Sequence, residues 1–249
     1  MLENITPVIL TYNEAPNIER TLKALAWAKR VIVMDSFSSD ETQSICARFA
    51  NVEFCQREFD VLATQWEAAI AQNIQTEWVL ALDADYVVSD ELITEIETLR
   101  PTSDIGGYRT SFVYKIDGYP LKGTLYPPVV TLYRFTGASY IQDGHAQRVQ
   151  IVGRIANLAG VIFHDDRKSA ERWHQSQVNY SKQEAHKLKG VPFSQLKLMD
   201  KIRFFGLGPI LAGPYTLFVK GVIFDGLPGL KYTWQRIIAE TYLLKARLK

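Results

Sequence analysis

The chain has 249 residues, 47% of them hydrophobic and 22% charged, which is enough for a sizeable core in one large domain or in one domain with an appendage. Its formal net charge of +1 excludes the strongly basic composition of a nucleic-acid-binding protein, and no nucleic-acid motif is present. The two cysteines, Cys46 and Cys55, do not have metal-ligand spacing, so we expect free thiols in a reducing cytosol. We expect no secretory signal, because the first residues lack a basic and an apolar region.

Predicted strands and helices alternate over the first hundred residues. The predicted ranges, beginning with a strand, are 5–10, 15–28, 31–34, 40–49, 52–55, 62–74, 78–82 and 92–99. Strands joined by single helices imply right-handed crossovers and a mostly parallel sheet. The pattern therefore predicts an α/β fold of the Rossmann-like, nucleotide-binding type, with the sheet flanked by helices.

Two acids stand at the end of the fourth predicted strand. Asp83 and Asp85 follow the apolar run 78–82, with one alanine between them. Acids this close repel each other unless a cation lies beside them, and open α/β sheets hold ligands at the carboxyl ends of their strands. Oxygen ligands suit Mg2+ or Mn2+, so we expect a divalent cation here. A solvated turn is the alternative for this short motif.

The first 105 residues contain no glycine. A P-loop or a glycine-rich dinucleotide-binding turn is therefore excluded in this half, because both need glycine for close approach of the backbone to phosphate. A nucleotide diphosphate bound here would instead be neutralised by a metal that carboxylates hold.

The first two predicted strands also end in polar residues. Those after the first strand are Thr11, Tyr12, Asn13 and Glu14, and Asp35 ends the second. Tyr12 is suited to stacking on a base, and Glu14 or Asp35 to accepting hydrogen bonds from a base or a ribose. The alternative, that the small polar residues in these segments cap helices, is open.

Three segments resemble the nucleotide-sugar motifs of family 2 glycosyltransferases, namely 7–14, 33–42 and 80–85. Within that family, the chain is most similar to the bacterial lipopolysaccharide-core and capsule glucosyltransferase branch. The resemblance implies the GT-A fold, a UDP-hexose or similar nucleotide-sugar donor, Mg2+ or Mn2+, and inversion at the anomeric carbon. It also implies a role in envelope polysaccharide or lipopolysaccharide synthesis, with a saccharide or lipid-linked saccharide as acceptor.

The resemblance also assigns roles to single residues. The donor's nucleoside would be held by Thr11, Tyr12, Asn13, Glu14 and Asp35. Asp83 would lie near the ribose and Asp85 would bind the metal. Gln65 stands where many members have a donor contact, although Trp66 replaces the polar residue that usually follows. His164 ends a strand as in related members, and would complete the metal shell or contact the diphosphate. A structural strand-end histidine is the alternative.

The pattern changes after residue 105. Alternation predicts antiparallel strands over 108–116 and 129–135, and the stretch between them, 117–128, would be a loop over the acceptor site. The predicted organisation is a nucleotide-sugar-binding half over 1–105, an acceptor and catalytic region of the same domain over 106–166, and a helical, basic, amphipathic extension over 167–249.

The segment 140–147 is predicted to supply the general base, because an inverting transfer needs a carboxylate or imidazole that reaches the acceptor hydroxyl. The family often has a pair with an acid here, but Ala146 follows His145 in this chain. Asp143 is the first candidate for the base and His145 the second. The alternative, that Asp143 and Gly144 only form a tight turn, is open.

The C-terminal extension is basic and apolar. Residues 187–249 contain eleven Lys and Arg against three Asp and Glu, and the uncharged stretch 204–219 is broken by glycine and proline. The stretch 204–219 is too short for a helix that spans a membrane. We expect a surface that lies on an anionic membrane, at the cytoplasmic face of the inner membrane. The alternative is a helical pair packed on the core or on another subunit of a homo-oligomer.

Two other functions stay open at this point. A sugar-nucleotidyltransferase also uses paired acids, but usually has the glycine-rich loop that this chain lacks. A non-catalytic nucleotide-binding membrane scaffold would explain the missing acid after His145.

Overall fold

The computed structural model describes residues 1–144 and 146–249. His145, the second candidate for the general base, lies outside the described residues. The chain forms two compact units. The first unit consists of residues 1–114, 126–142 and 147–167, and the second of residues 115–125, 143–144, 146 and 168–249.

The strands of the described chain are β1 (Ile5–Thr11), β2 (Val31–Asp35), β3 (Val52–Gln56), β4 (Trp78–Asp83), β5 (Tyr86–Val88), β6 (Ile105–Ile116), β7 (Tyr119–Pro120), β8 (Val129–Arg134), β9 (Ser139–Asp143), β10 (Ala146–Gln150) and β11 (Arg154–His164). The main sheet has the order β3-β2-β1-β4-β8-β6-β11-β5. β1 to β4 are parallel, as predicted, and β8 joins β4 antiparallel. The predicted α/β fold with a small antiparallel region is confirmed. The strands predicted over 108–116 and 129–135 correspond to β6 and β8, which pair antiparallel, and β9 and β10 form a separate two-stranded sheet that was not predicted.

The helices are α1 (Ile18–Ala24), α2 (Thr42–Cys46), α3 (Leu62–Ile70), α4 (Asp90–Thr98), α5 (Ala170–Gly190), α6 (Leu198–Phe204), α7 (Gly208–Pro214) and α8 (Gly226–Leu248). α1, α2 and α3 are shorter than their apolar patterns predict, because turns replace the predicted ends. α2 begins only after Asp40, whose carboxylate accepts the Thr42 N–H at 3.0 Å. α3 is followed by Asn73 in the left-handed region, with φ +34°.

The core of the first unit lies on both faces of the parallel strands. Leu80 and Leu82 of β4 pack in one apolar cluster with Leu22 of α1. Val79 faces the opposite cluster, which contains Trp66 of α3. β4 is therefore buried on both faces, and each fully buried leucine contributes roughly 1.5–3 kcal/mol.

The short strand β5 is not evident in the sequence pattern. It pairs antiparallel with the end of β11, so that Tyr86 lies opposite His164. β11 itself runs parallel to β6. This pairing places His164, at the end of β11, beside the segment that directly follows β4.

The second unit consists of α5 to α8 together with the hairpin formed by β7 and the end of β6. Between α7 and α8 lie a π-helical turn, Tyr215–Val219, and a 3-10 turn, Val222–Asp225. The segment that we expected to cover the acceptor site packs here, because the N–H groups of Lys122 and Gly123 donate to the Asp225 carboxylate at 3.0 and 3.4 Å. A role of this segment at the acceptor site stays a prediction.

Within the described part of the chain, no helix on its own combines the length and apolarity that crossing a bilayer demands. The segments Gly208–Val219 and Val222–Leu248 meet those demands only together, and they are bent by 74° at their junction.

Candidate active site

The carboxyl ends of three parallel strands bring the first predicted motifs together. Thr11 lies opposite Asp35 in the register of β1 with β2, and Leu10 lies opposite Asp83 in the register of β1 with β4. Side chains that follow these strands therefore share one edge of the sheet, which is where ligands bind in this class of fold.

Asp85 and His164 form the most specific contact at this edge. The His164 Nε2 atom lies 3.3 Å from an Asp85 carboxylate oxygen. The backbone holds the two together, because the Asp165 N–H donates to the Asp85 carbonyl at 3.1 Å and β5 pairs with β11. The Asp85 side chain is 11% exposed, so only a small part of it is open to a ligand.

Three tyrosines surround the His164 ring. The ring centroids of Tyr86, Tyr114 and Tyr126 lie 5.2, 4.5 and 5.3 Å from that of His164, and the hydroxyls of Tyr86 and Tyr126 are hydrogen-bonded to each other. Burial, and next the charge of Asp83, raise the pKa of both hydroxyls. Both tyrosines are therefore neutral hydrogen-bonding groups at this site.

The predicted metal ligands are only partly brought together. Among residues 1–144 and 146–249, no three His, Cys, Asp or Glu side chains converge as a metal site, so Asp83, Asp85 and His164 do not form a three-ligand set. The reason is that Asp83 still belongs to β4, whereas Asp85 lies in the turn before β5. The pair that remains fits a divalent cation, because Mg2+ is usually bound through one or two carboxylates, with waters and substrate phosphates completing its shell, and imidazole suits Mn2+.

A buried asparagine, which the sequence analysis did not identify, connects the first motif to the end of β11. The Asn17 amide donates to the Glu14 carboxylate at 2.7 Å and to the Asp166 carboxylate at 3.1 Å. Its carbonyl oxygen accepts the Arg167 N–H at 2.9 Å. Glu14 therefore has a structural partner in addition to its predicted place near the nucleoside, a place that stays a prediction.

Arg20 is a second residue that the sequence analysis missed. Its Nη2 atom donates to the Asp165 carbonyl at 2.6 Å, and its Nε lies 3.5 Å from the Asp165 carboxylate. Burial lowers the pKa of Arg20, while the charge of Asp165, and more weakly that of Asp85, raises it. A guanidinium group thus lies within electrostatic reach of the candidate metal ligand. No local pattern distinguishes this arginine from an ordinary exposed helix residue.

Two exposed aromatic residues lie at the carboxyl ends of the first two strands. Tyr12 and Phe37 are 55% and 57% exposed, and they follow the adjacent strands β1 and β2. Asn13, in the left-handed region at φ +54°, accepts the Ser39 N–H on its side-chain oxygen at 2.7 Å. Asn13 therefore joins the two loops, and it is not the N-cap of α1 or α2, whose N-cap residues are Asn17 and Glu41.

Asp35 is fully buried and holds the turn that follows β2. Its carboxylate accepts the Ser38 N–H at 2.8 Å and the Gln56 amide at 3.0 Å, and it is also hydrogen-bonded to the Ser38 hydroxyl. These bonds fix Phe37 in the left-handed region, at φ +57°. The predicted contact of Asp35 with the nucleoside stays a prediction.

Gln65 and Trp66 on α3 are both buried. The Gln65 amide donates to the Ser36 hydroxyl at 3.1 Å, and its oxygen accepts from Arg57 at 2.7 Å. Trp66 stacks on Tyr140 of β9, with ring centroids 5.3 Å apart and planes 14° from parallel. The unusual tryptophan is thus a packing residue that orients β9, while the donor contact of Gln65 stays a prediction.

Asp143 lies in the second unit, at the turn between β9 and β10. Gly144 has φ +66°, so the tight turn that we considered as the alternative is present. The Asp143 carboxylate is 2.6 Å from the Lys187 ammonium of α5. A turn residue with an ion-paired carboxylate can still serve as a base, and that role stays a prediction.

Comparisons with known proteins agree with this fold. Residues 6–119 match the model of glycosyl transferase family 2. An uncharacterised glycosyltransferase of Rickettsia typhi is 25% identical over 275 residues, which cover 100% of this chain and 89% of that protein. One from Rickettsia conorii is 24% identical over 273 residues, with 100% and 93% covered.

Two solved structures have a similar fold. Glucosyl-3-phosphoglycerate synthase from Mycobacterium tuberculosis, in complex with phosphoglyceric acid, is superimposed with a TM-score of 0.53 at 14% identity and covers 76% of this chain and 81% of its own. The same synthase with Mn2+, UDP and glucosyl-3-phosphoglycerate gives 0.50 at 15% identity, with the same coverage.

The α/β sheet, with the motif residues at its carboxyl edge, has the GT-A fold. Residues 6–119 are therefore similar to glycosyl transferase family 2, and the whole chain is similar to glycosyltransferases of Rickettsia.

Proposed function

We propose that this protein is a glycosyltransferase that moves a hexose from a nucleotide sugar, a UDP-hexose, to a hydroxyl of a saccharide, with inversion and with Mg2+ or Mn2+ as cofactor. The observation that carries the proposal is the pairing of Asp85 with His164 at the carboxyl edge of the sheet, 3.3 Å apart. The synthase of similar fold that is solved with Mn2+ and UDP supports it.

In this proposal Asp85 and His164 would hold the metal, and the chemistry it would supply is Lewis-acid stabilisation of the departing diphosphate. Tyr12, which is exposed directly after β1, stacks on the nucleobase of the donor. Arg20 adds fixed positive charge near the acids, and preorganised charges of this kind stabilise charge that develops in the transition state. Asp143 takes the proton of the acceptor hydroxyl as general base.

The experiment is hydrolysis of UDP-glucose and UDP-galactose in the presence and absence of Mn2+. We expect slow, metal-dependent release of UDP, which Asp85→Asn abolishes. Glu91→Gln is the matched control, since Glu91 is exposed in the first turn of α4. If neither sugar nucleotide is turned over or bound with Mn2+, a nucleotide-sugar donor of this type is excluded.

The proposed acceptor is a lipid-linked saccharide of envelope polysaccharide or lipopolysaccharide synthesis, met at the cytoplasmic face of the inner membrane. The support is an exposed apolar surface in the second unit. We call it the apolar tip, and it consists of Phe218, Val219, Ile223, Phe224, Leu227 and Leu230. Soluble monomers rarely expose contiguous apolar patches beyond a few hundred Å², and larger ones mark interaction sites.

The fold holds the apolar tip in place. Val222 and Asp225 are buried beneath it, and Asp225 is bound by two backbone N–H groups of the segment 115–125. Gly229 lies so close to Val222 that an added Cβ atom would be 2.2 Å from the Val222 carbonyl oxygen. Phe224 and Leu227 are nevertheless 78% and 81% exposed. Their exposure is therefore built into the folded structure.

The charge around the tip suits an anionic lipid surface. Lys220 lies within the tip, and the last 63 residues of the chain, 187–249, carry a large excess of Lys and Arg over Asp and Glu. Each basic residue near such a surface contributes about 1 kcal/mol. Binding of this kind should weaken with salt, because the Debye length is only about 8 Å at physiological ionic strength.

Co-sedimentation with anionic and neutral liposomes at low and high salt tests the membrane proposal. We expect binding to anionic liposomes at low salt, and its loss in the double variant Phe224→Ser, Leu227→Ser. Val152→Ser is the control, because Val152 is 74% exposed in the first unit. Protein that stays in the supernatant with anionic liposomes would contradict the membrane proposal, and a dimer that the double variant dissociates would show that the tip is an interface between proteins.

A further inference from the structure

A groove of about 400 Å³ lies between α5 and α8, within the second unit. It is lined by Lys182 and Lys189 of α5, by Lys245 of α8 and by Lys249, which directly follows α8. Its floor includes the small side chains of Ala185 and Ala246. We call it the lysine groove.

The side chains that line the lysine groove carry an excess of positive charge. No Asp or Glu is among the residues that line it. Other lysines of this unit do have acidic partners, as Lys187 has Asp143 and Lys231 has Asp117. Within the described residues, the four groove lysines are in no such ion pair. Ammonium groups that share one groove repel each other, so the arrangement is stabilised when an anion binds.

The acids of the neighbouring helices are used elsewhere. Glu240, the one acidic residue of α8, is bound by Arg203 at 2.7 Å. Glu184 of α5 lies on the side of the β9–β10 turn, where it would meet a Cβ atom added to Gly144 at 2.0 Å. The sequence therefore places acids away from the groove and lysines in it.

Helix ends account for only part of this pattern. Lys189 and Lys245 lie in the last turns of α5 and α8, where positive charge is favourable. Lys182 lies two turns before the end of α5, so the helix dipole does not explain it. It shares a helix face with Lys189, seven residues on, because residues at this spacing return to the same side of a helix.

We propose that the lysine groove binds a phosphate group of a second ligand, either a phosphorylated saccharide or a lipid headgroup. Lysine binds phosphate as a compact point charge with three donors. The volume matches that of ligand pockets in general, roughly 300–1,000 Å³. Tyr242, also in the lining, is held by its hydrogen bond with His174 Nδ1 at 3.0 Å, and so offers a fixed polar group beside the lysines.

This site is separate from the apolar tip, and it does not depend on the proposed function. Both surfaces include residues of α8, but Leu227 and Lys245 are separated by about 27 Å along the helix at 1.5 Å per residue. Substitutions in one surface therefore leave the other intact, and the two can be tested independently.

The test is calorimetric titration with inorganic triphosphate, in low salt and with EDTA present, so that no metal recruits the probe to the first unit. We expect binding by the parent protein. The variant Lys182→Gln, Lys245→Gln should bind at least about tenfold more weakly, because charge-assisted hydrogen bonds are roughly twice as strong as neutral ones. The control Lys23→Gln, Lys29→Gln changes the net charge equally, at exposed lysines of the first unit.

If triphosphate binding is weakened equally in both double variants, the attraction is a general one to a charged protein and the proposal is overturned. An absence of triphosphate binding by the parent protein would overturn it as well. A second arm identifies the source of the phosphate. If the groove variant also loses affinity for phosphatidylglycerol vesicles, the ligand is a lipid headgroup. If vesicle binding is kept while triphosphate binding is lost, it is a soluble phosphate.

Discussion

The Lys187 ammonium lies 2.6 Å from the carboxylate of Asp143, our candidate for the general base. Burial by itself lowers the pKa of Lys187, but its hydrogen bond to Asp143 and the attraction of Glu184 outweigh burial and raise it overall. A persistent positive charge beside Asp143 favours the ionised carboxylate, which is the form that can accept a proton.

We therefore expect Asp143→Asn to slow transfer on the order of 10²-fold or more, the usual contribution of a general base, while the affinity for the donor is unchanged. Steady-state turnover with a saccharide acceptor and calorimetric binding of UDP with Mn2+ measure the two effects. Asp117→Asn is the control, because Asp117 is paired with Lys231 at 2.6 Å in the same unit. Unchanged turnover in Asp143→Asn would assign the role to another residue.

The second prediction concerns Phe37, whose φ of +57° is unfavourable for a bulky residue. Phe37→Gly removes a left-handed strain of roughly 1–2 kcal/mol, so the melting temperature should stay equal or rise. UDP binding should nevertheless weaken about tenfold, since stacking of an aromatic side chain on a base contributes roughly 1–3 kcal/mol.

Asn73→Gly is the control for this prediction. Asn73 also has a positive φ, +34°, but it follows the C-terminal end of α3. The substitution should affect stability in the same direction without a change in UDP affinity. UDP affinity that is unchanged in Phe37→Gly would show that the exposed ring does not contact the base.

The sequence was sufficient to predict the parallel strands and the acids at their ends. β4 could be recognised because five apolar residues directly precede Asp83, and an acid after a strand buried on both faces has few structural explanations. The pairing of His164 with Asp85 could not be derived in the same way. It depends on β5, a strand of three residues that pairs with a partner more than seventy positions away, and such a pairing leaves no local pattern.

Buried polar networks were also beyond the sequence analysis. Asn17 and Arg20 lie on the polar side of a predicted amphipathic helix, where exposed residues are expected. Their burial results from the strand end at 164–167, which packs beside α1. Trp66 replaces the polar residue that the resemblance leads one to expect, and the structure explains this replacement, because Tyr140 is stacked on Trp66.

The third prediction concerns the cysteines, which are free as expected. Burial, and next the charge of Asp35, raise the pKa of Cys46 to about 12, so its thiol should be inert at neutral pH. Cys55 is half-buried. In the native protein, a disulfide reagent at pH 8 should label Cys55 slowly and Cys46 not at all, and denaturant should expose both. In the variant Cys55→Ser only Cys46 remains, so rapid labelling of this variant in its native state would show that α2 opens.

The most direct test of the account is calorimetric binding of UDP in the presence and absence of Mn2+, in the parent protein and in Asp85→Asn. We expect Mn2+ to strengthen UDP binding by the parent, and we expect this strengthening to be lost in the variant, whose isosteric amide removes the charge that a cation needs. The melting temperature should change little, which separates loss of the metal from loss of the fold. If Mn2+ strengthens UDP binding by Asp85→Asn as much as it does in the parent, the assignment of the metal to this site is contradicted.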